Sequence, residues 1–300
     1  KGKNFSILGD TATLKTLKQL LAPLDLLHII YSCGVGGRHP LDTPELILEL
    51  CDERSKIDIN IHDFFPISPS WNLLSKYGKF EGVPELDTND PAHCIPALSG
   101  RVPVSHKMWR TQWQKIFTLA QNVTVYSKAS GDLIKAAYPN TAVKILVQPH
   151  ALSRLPPKLR SGGQRVGILG SLNRAKGAEV IQRLSRNPSN LRKYIVIGEM
   201  DRAFPIEKPS ICHGRYEHEH IGELAIKYDI GVWFIPSICP ETFSFATHEA
   251  LATGLPVLAF ARGAQGEAVE SAPNGHPVVA DPEDTVAIAA AVEQAFSLEN

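Results

Sequence analysis

Cysteine is scarce in this chain. Its five cysteines, Cys33, Cys51, Cys94, Cys212 and Cys239, are odd in number, scattered, and form no C-x-x-C pair. That argues against a disulfide framework or a zinc site and for a reducing, cytoplasmic setting. Net charge is also missing: 31 Lys and Arg balance 31 Asp and Glu. No global basic field is therefore available for nucleic acid. No apolar run approaches the length of a membrane span, although a peripheral contact with the inner membrane face stays open. Internal repeats and low-complexity tracts are absent. The opening Lys1-Gly2-Lys3-Asn4 is not a signal peptide and carries no Met, as expected of a trimmed chain or one that starts inside a larger multidomain protein. Histidines number 11, but no metal-ligand spacing stands out and no metal is expected. His213, His218 and His220 read as an exposed helix start.

What is present is an ordinary core, 43% apolar over 300 residues, enough for one large domain or two ordinary ones. The second half alternates strands and helices. Strands are expected at Arg165–Gly170, Lys193–Gly198, Ile211–His213, Ile230–Ile235, Val257–Phe260 and Pro277–Ala280. Helices are expected at Ala178–Leu184, His220–Tyr228, Glu267–Glu270 and from Asp284 onward. Continuous apolar strands between amphipathic helices imply a parallel sheet covered on both faces. The first half is a less complete α/β unit. It has strands at Asn4–Leu8, Leu26–Tyr31, Ile57–Ile61, Val123–Tyr126 and Val143–Val147, and helices at Thr13–Leu21, Pro44–Cys51, His106–Ala120 and Asp132–Ala137. An irregular stretch from Phe64 to about Pro103 is long enough to be functional or mobile. Ser153–Gln164, rich in Pro, Ser and Gly, reads as a linker between domains at 1–153 and 154–300.

Ligands of such sheets bind at the carboxyl ends of the strands. Two segments with chemical character fall there. One is Gly170-Ser171-Leu172-Asn173-Arg174-Ala175-Lys176-Gly177. The other is Pro240-Glu241-Thr242-Phe243-Ser244-Phe245-Ala246-Thr247-His248-Glu249-Ala250-Leu251, with a helix that ends at Gly254 ahead of Leu255-Pro256-Val257. A helix N-terminus offers unpaired amides and a positive dipole end, which suits phosphate. Here Thr242, Phe243 and Ser244 would supply the amides. Carboxylates before and within the helix can accept charge-assisted bonds from sugar and ribose hydroxyls.

The second segment resembles the E-x7-E signature of retaining, nucleotide-sugar-dependent glycosyltransferases of the GT-B fold, family 4. The resemblance implies two Rossmann-like domains with the active site in the cleft, the first domain being reduced or truncated here. It implies a nucleotide-diphosphate sugar as substrate, with a UDP, GDP or dTDP base left open, no cofactor and no metal. The acceptor would be a glycan or a lipid-linked acceptor. The first segment resembles the family's G-R-L-x-x-x-K-G loop. Lys176 and Gly177 match, whereas Ser171 stands where the family has Arg. Either Arg174 compensates or one phosphate contact is lost. Glu241 would orient the donor sugar, Lys176 hold the diphosphate, and Glu249 bind ribose. Ala261-Arg262-Gly263-Ala264-Gln265-Gly266-Glu267 also fits the family, although a turn ahead of a helix needs no ligand.

In the first half, His62-Asp63-Phe64-Phe65-Pro66, with Trp109-Arg110 and Gln148-Pro149-His150, resembles bacterial surface-polysaccharide glycosyltransferases. The cysteines that usually follow are mostly missing. His62 and Asp63 are candidate contacts to donor sugar or acceptor, or else partners of loop backbone. Gly36 and Gly37, within Gly34-Val35-Gly36-Gly37-Arg38-His39, would approach substrate by their backbone or simply form a tight turn; the G-x-G-x-x-G spacing of a dinucleotide site is absent. Trp71, Trp109 and Trp113 are candidates to stack on an acceptor sugar, with Trp109 and Trp113, four apart on a helix, more in keeping with core. Two other readings fit these residues. One is a different GT-B enzyme, a sugar phosphorylase or nucleotide-sugar epimerase; the other is a degenerate, glycan-binding glycosyltransferase domain.

Overall fold

A computed structural model describes residues 13–35, 42–97, 102–153, 155–159, 162–187 and 192–297. The strand expected at Asn4–Leu8 lies outside them, as do Gly36 and Gly37. Among these residues the chain forms two wholly parallel sheets. The first has four strands in sequential order: β1 (Leu27–Tyr31), β2 (Ser55–Asn60), β3 (Ala120–Val125) and β4 (Lys144–Val147). Helices α1 (Leu14–Leu21), α2 (Thr43–Leu50), α3 (His106–Leu119) and α4 (Lys128–Ala137) accompany them.

The second sheet has six strands: β5 (Arg165–Leu169), β6 (Tyr194–Ile197), β7 (Ile211–Gly214), β8 (Ile230–Ile235), β9 (Val257–Phe260) and β10 (Gly275–Val278). Their spatial order is β7-β6-β5-β8-β9-β10. The order reverses between β5 and β8, and that switch point opens a crevice at the carboxyl ends of the strands. Helices α5 (Ala178–Arg186) and α9 (Thr285–Ser297) cover one face through Ile181, Leu184, Ile288 and Val292. The other face is covered by α6 (Ile221–Lys227), α7 (Phe245–Ala252) and α8 (Gly263–Ser271). Strands β6, β8 and β9 are buried along their whole length, which is why they read as unbroken apolar runs rather than alternating ones.

Several boundaries differ from sequence expectation, and three of them bear on the site. Helix α8 begins at Gly263 rather than Glu267; Gly263 takes φ +58, and an added Cβ there would lie 2.5 Å from the Glu241 amide nitrogen. Strand β10 ends at Val278, and Val279 is 90% exposed. Helix α4 begins four residues early. Its N-cap Ser127 accepts from the Ser130 amide, and a carboxylate from the other half covers its first amides. Glu267 on α8 accepts from the amides of Lys128 (3.1 Å) and Ala129 (2.6 Å). These N–H groups have no partner within their own helix. Replacing Glu267 with Ala is expected to cost about 1 kcal/mol, as loss of an N-cap does. Urea denaturation checks this, with Glu267→Gln recovering part of the loss.

The stretch after β2 is irregular in secondary structure but not loosely packed. Phe64, Phe65, Ile67 and Leu73 are buried in the first core. His106 bonds the Glu85 and Ile67 carbonyls, and Ser68 bonds His93. Leu74 leaves that core and joins the core of the second sheet. Lys79 reaches Asp281 at 3.3 Å. The stretch therefore clasps the two halves together.

Candidate functional site

The loop after β5 is shaped by its own bonds. Asn173 Oδ1 accepts from the Lys176 amide (2.9 Å), and the Asn173 carbonyl accepts from Ala178. The Ala175 carbonyl accepts from the Ile238 amide (3.0 Å), tying this loop to the one after β8. Gly177 takes φ +84, and a Cβ there would lie 2.0 Å from the Pro236 carbonyl oxygen. The two loops at the switch point thus touch through a glycine.

Lys176 Nζ lies 2.5 Å from Glu241 Oε2. The other carboxylate oxygen of Glu241 accepts from the Ser237 hydroxyl. Glu241 is 9% exposed, so its charge is held by one cation and one hydroxyl. Its main chain is clamped as well: the amide donates to Gln265 Oε1 (2.9 Å) and the carbonyl accepts from Ala264 (2.9 Å). Gln265 is fully buried and returns its Nε2 to the Cys239 carbonyl at 2.7 Å. Sequence reasoning missed Gln265 and Ser237. Gln265 does lie in the Gly263–Glu267 turn already singled out, but its target is a backbone that only folding brings near. Burial, with the Glu241 charge beside it, pushes the Cys239 thiol up to about 12.

The helix α7 starts at Phe245, with Ser244 as its N-cap. The helix-end amides therefore belong to Phe245, Ala246 and Thr247, and those of Thr242 to Ser244 sit in the approach turn. The Ser244 hydroxyl accepts from Thr247 Oγ1 (2.8 Å). Glu249, one helical turn in, is 7% exposed and accepts from His218 Nδ1 at 2.7 Å. His218 belongs to a single 3-10 turn, His218–His220, ahead of α6; the expected exposed helix start thus also supplies a partner to a motif glutamate. Burial raises the Glu249 carboxyl above its ordinary range, and His218 opposes the rise. Tyr216, whose ring lies 5.8 Å from His218, is pushed up to about 12 by burial and by the Glu249 charge.

Arg174 goes elsewhere. It pairs with Glu179 at 3.3 Å and lines a separate cavity with Gly78, Lys79, Asp281 and Glu283. Ser171 is exposed. Of the cations in the β5 loop, only Lys176 lines the cavity that holds Glu241.

That cavity, about 200 Å³, lies between the halves. Its walls are Lys176, Glu241, Thr242 and Phe243 on one side and His62, Asp63, Trp71 and Asn72 on the other. The Thr242 hydroxyl donates across it to the His62 carbonyl (3.0 Å). Asp63 accepts from the Phe65 amide (2.9 Å) and the Cys33 thiol (3.0 Å), and burial raises its pKa. Of the two roles open to it, the backbone one is thus filled. The His62 ring bonds Tyr126 Oη (2.9 Å) and stacks on Tyr126 and His150. Burial and the neighbouring His150 lower its pKa. His150 in turn meets Phe243 and Phe245, completing an aromatic seam across the cleft. Trp109 and Trp113 are core residues, 2% and 0% exposed, whereas Trp71 is 44% exposed.

Residues 163–297 match the family model described as glycosyl transferases group 1. Among solved structures, sucrose-phosphate synthase from Thermosynechococcus elongatus superposes with a TM-score of 0.59 at 17% identity, over 95% of this chain and 68% of that one. Anabaena HepE in complex with UDP gives 0.57 at 14% identity, over 95% and 72%. S. aureus TarM, in complex with fondaparinux, alpha-GlcNAc-glycerol and UDP, gives 0.55 at 14% identity, over 95% and 51%. The chain thus spans about half the length of TarM. No curated protein matches the sequence. The fold is GT-B. The sheet of its first half is the smaller, with four strands among the described residues against six in the second. In this GT-B chain, the family-model match covers the half that carries Lys176, Glu241 and Glu249.

Proposed function

We propose that this chain is a retaining glycosyltransferase of the family 4 type. It moves a sugar from a nucleotide-diphosphate sugar to a glycan or lipid-linked acceptor in polysaccharide or glycoconjugate synthesis, with domains at 1–153 and 154–300. The observation that carries the reading is the Lys176–Glu241 pair, held at the switch point of a parallel sheet and facing a cleft beside a helix N-terminus. UDP in the HepE and TarM structures makes a uridine nucleotide the first donor to try.

In this scheme Lys176 holds the diphosphate. As the glycosidic bond breaks, negative charge grows on the leaving phosphate, and a fixed cation stabilises that state more than the ground state. The first amides of α7, those of Phe245 to Thr247, would add the positive end of the helix dipole. Glu241, its carboxylate already oriented by Ser237, accepts hydroxyls of the transferring sugar as Lys176 turns to phosphate. Glu249 accepts from the ribose in competition with His218. The departing phosphate takes the acceptor proton, so no protein base is assigned. No metal and no cofactor enter this scheme.

Among the described residues no helix is long and apolar enough to cross a membrane. A peripheral contact at the inner membrane face is compatible with the proposed lipid-linked acceptor.

Calorimetric titration with UDP, GDP, dTDP and their common sugars tests the reading. One nucleotide should bind, and Glu249→Gln should weaken it. The same variant has a second expected outcome. A carboxyl raised by burial holds its proton longer when folded than when unfolded, so its contribution to stability falls as pH rises from its ordinary value near 4.5 through the raised one. Glu249→Gln removes that loss. Its denaturation midpoint should exceed that of the parent at pH 8 and approach it at pH 5. A parent at least as stable as the variant at pH 8, with undiminished nucleotide binding in the variant, would remove Glu249 from the site.

A further inference from the structure

Trp71 is the first-domain tryptophan left out of the core. Trp109 and Trp113 are buried and packed ring to ring, and Trp233 is buried with its indole N–H on Thr253 (3.0 Å). Trp71 has no ring or hydrogen-bond partner for its indole among the described residues, is 44% exposed, and lines the cleft cavity opposite Lys176 and Glu241.

The turn that presents it is held unusually firmly. The Trp71 carbonyl accepts from the Phe64 amide (2.8 Å). The Asn72 side-chain oxygen accepts from the Leu74 amide (3.1 Å), and the single Ser70 hydroxyl proton is shared between the Leu74 carbonyl (2.7 Å) and that Asn72 oxygen (3.1 Å). Leu73 sits at φ +60, a conformation that costs a non-glycine residue free energy and persists only where the surroundings impose it. The surroundings do so here. Leu73 is buried in the core of the first half, and the next residue, Leu74, is buried in the core of the second. Trp71 and Asn72 are thus fixed at the seam between the halves. The Asn72 amide nitrogen bonds nothing in the protein among the described residues, which leaves a donor beside the indole.

We propose that Trp71 and Asn72 form the acceptor subsite, and that the group seated there is a pyranose ring of a glycan. This rests on the glycosyltransferase reading above. The wall carrying Lys176, Glu241 and Thr242 belongs to the donor, and the facing wall is where the attacking hydroxyl must come from. An indole face offers an apolar, electron-rich surface that suits the C–H face of a pyranose. A neighbouring amide donor suits a ring hydroxyl. An acyclic polyol such as glycerol lacks the flat face and should bind poorly.

The test uses intact protein, UDP, GDP and dTDP, and methyl pyranosides of glucose, galactose, mannose and N-acetylglucosamine, with glycerol as the acyclic control. Acrylamide quenching of tryptophan emission reports Trp71, because the other three tryptophans are buried; Trp71→Phe identifies its share. At least one pyranoside should protect Trp71 from quenching, and glycerol should not. Saturation-transfer NMR should show that pyranoside binding weakens about tenfold in Trp71→Ala and largely returns in Trp71→Phe. Asn72→Asp, which replaces the amide donor with an acceptor, should weaken it too. Nucleotide binding in the same samples separates the two readings. If a nucleotide binds and no pyranoside protects Trp71, or if glycerol protects equally well, the acceptor subsite is overturned and the donor site stands. If no nucleotide binds, the glycosyltransferase reading falls and takes the acceptor role with it.

Discussion

Lys176→Met is expected to lower kcat by about 10²–10³-fold, the usual effect of removing one preorganised group that stabilises charge in a transition state. It is the one cation of the β5 loop at the Glu241 cavity; Arg174 lines a different cavity and pairs with Glu179. The variant also strips Glu241 of its cation while Glu241 stays buried, so stability should drop by about 1–3 kcal/mol. The double variant Lys176→Met with Glu241→Gln separates the two effects. Without a buried charge in need of a partner, its denaturation midpoint should return toward that of the parent, while turnover stays low. Turnover of the single variant within about tenfold of the parent would mean that another group carries the leaving-group charge. Steady-state kinetics with the donor identified by titration decides this.

Gly177→Ala is expected to cost roughly 3 kcal/mol or more in urea denaturation. Two effects add. A residue with a Cβ pays about 1–2 kcal/mol in the left-handed region, and Gly177 has φ +84. The added methyl would also lie 2.0 Å from the Pro236 oxygen, so the β5 and β8 loops must move apart, an overpacking cost of about 1–3 kcal/mol. Gly82 makes the comparison clean. It has φ +93 with nothing within 4 Å of an added Cβ, so Gly82→Ala carries the conformational cost alone. Because Lys176 is the preceding residue, the separation of the loops should also pull its ammonium away from Glu241, and activity should fall with stability. A loss in Gly177→Ala no larger than in Gly82→Ala would mean that the loop contact is slack. The glycine in the Lys-Gly pair of the motif is thus explained without a ligand: it lets two strand-end loops meet.

The parts legible in the sequence are those whose signal is local. Burial on both faces writes itself as unbroken apolar runs, so β6, β8 and β9 and the parallel arrangement could be read directly. The candidate donor residues could be located because strand-end loops and helix starts are short segments with fixed spacing. Helix starts capped from afar could not be read: α4 starts at Lys128 because Glu267, 139 residues away in sequence, covers its first amides. The irregular stretch after β2 carries no periodic pattern, so its role as a clasp between two cores was invisible.

By itself, then, the sequence determined two α/β halves, the order of their elements, and a cluster of glutamate, lysine and glycine at the ends of β5 and β8. Tertiary structure alone decided how those groups are used. It paired Lys176 with Glu241, set His218 on Glu249, turned Arg174 away, clamped Glu241 with Gln265, and put Trp71 rather than Trp109 or Trp113 in the cleft. For the pairings made by Lys176, His218 and Gln265 the physical reason is the same. Residue type and spacing record which groups a chain carries and how each element buries its apolar face. The partner a polar side chain meets depends on which distant loop the packed cores bring within hydrogen-bond reach.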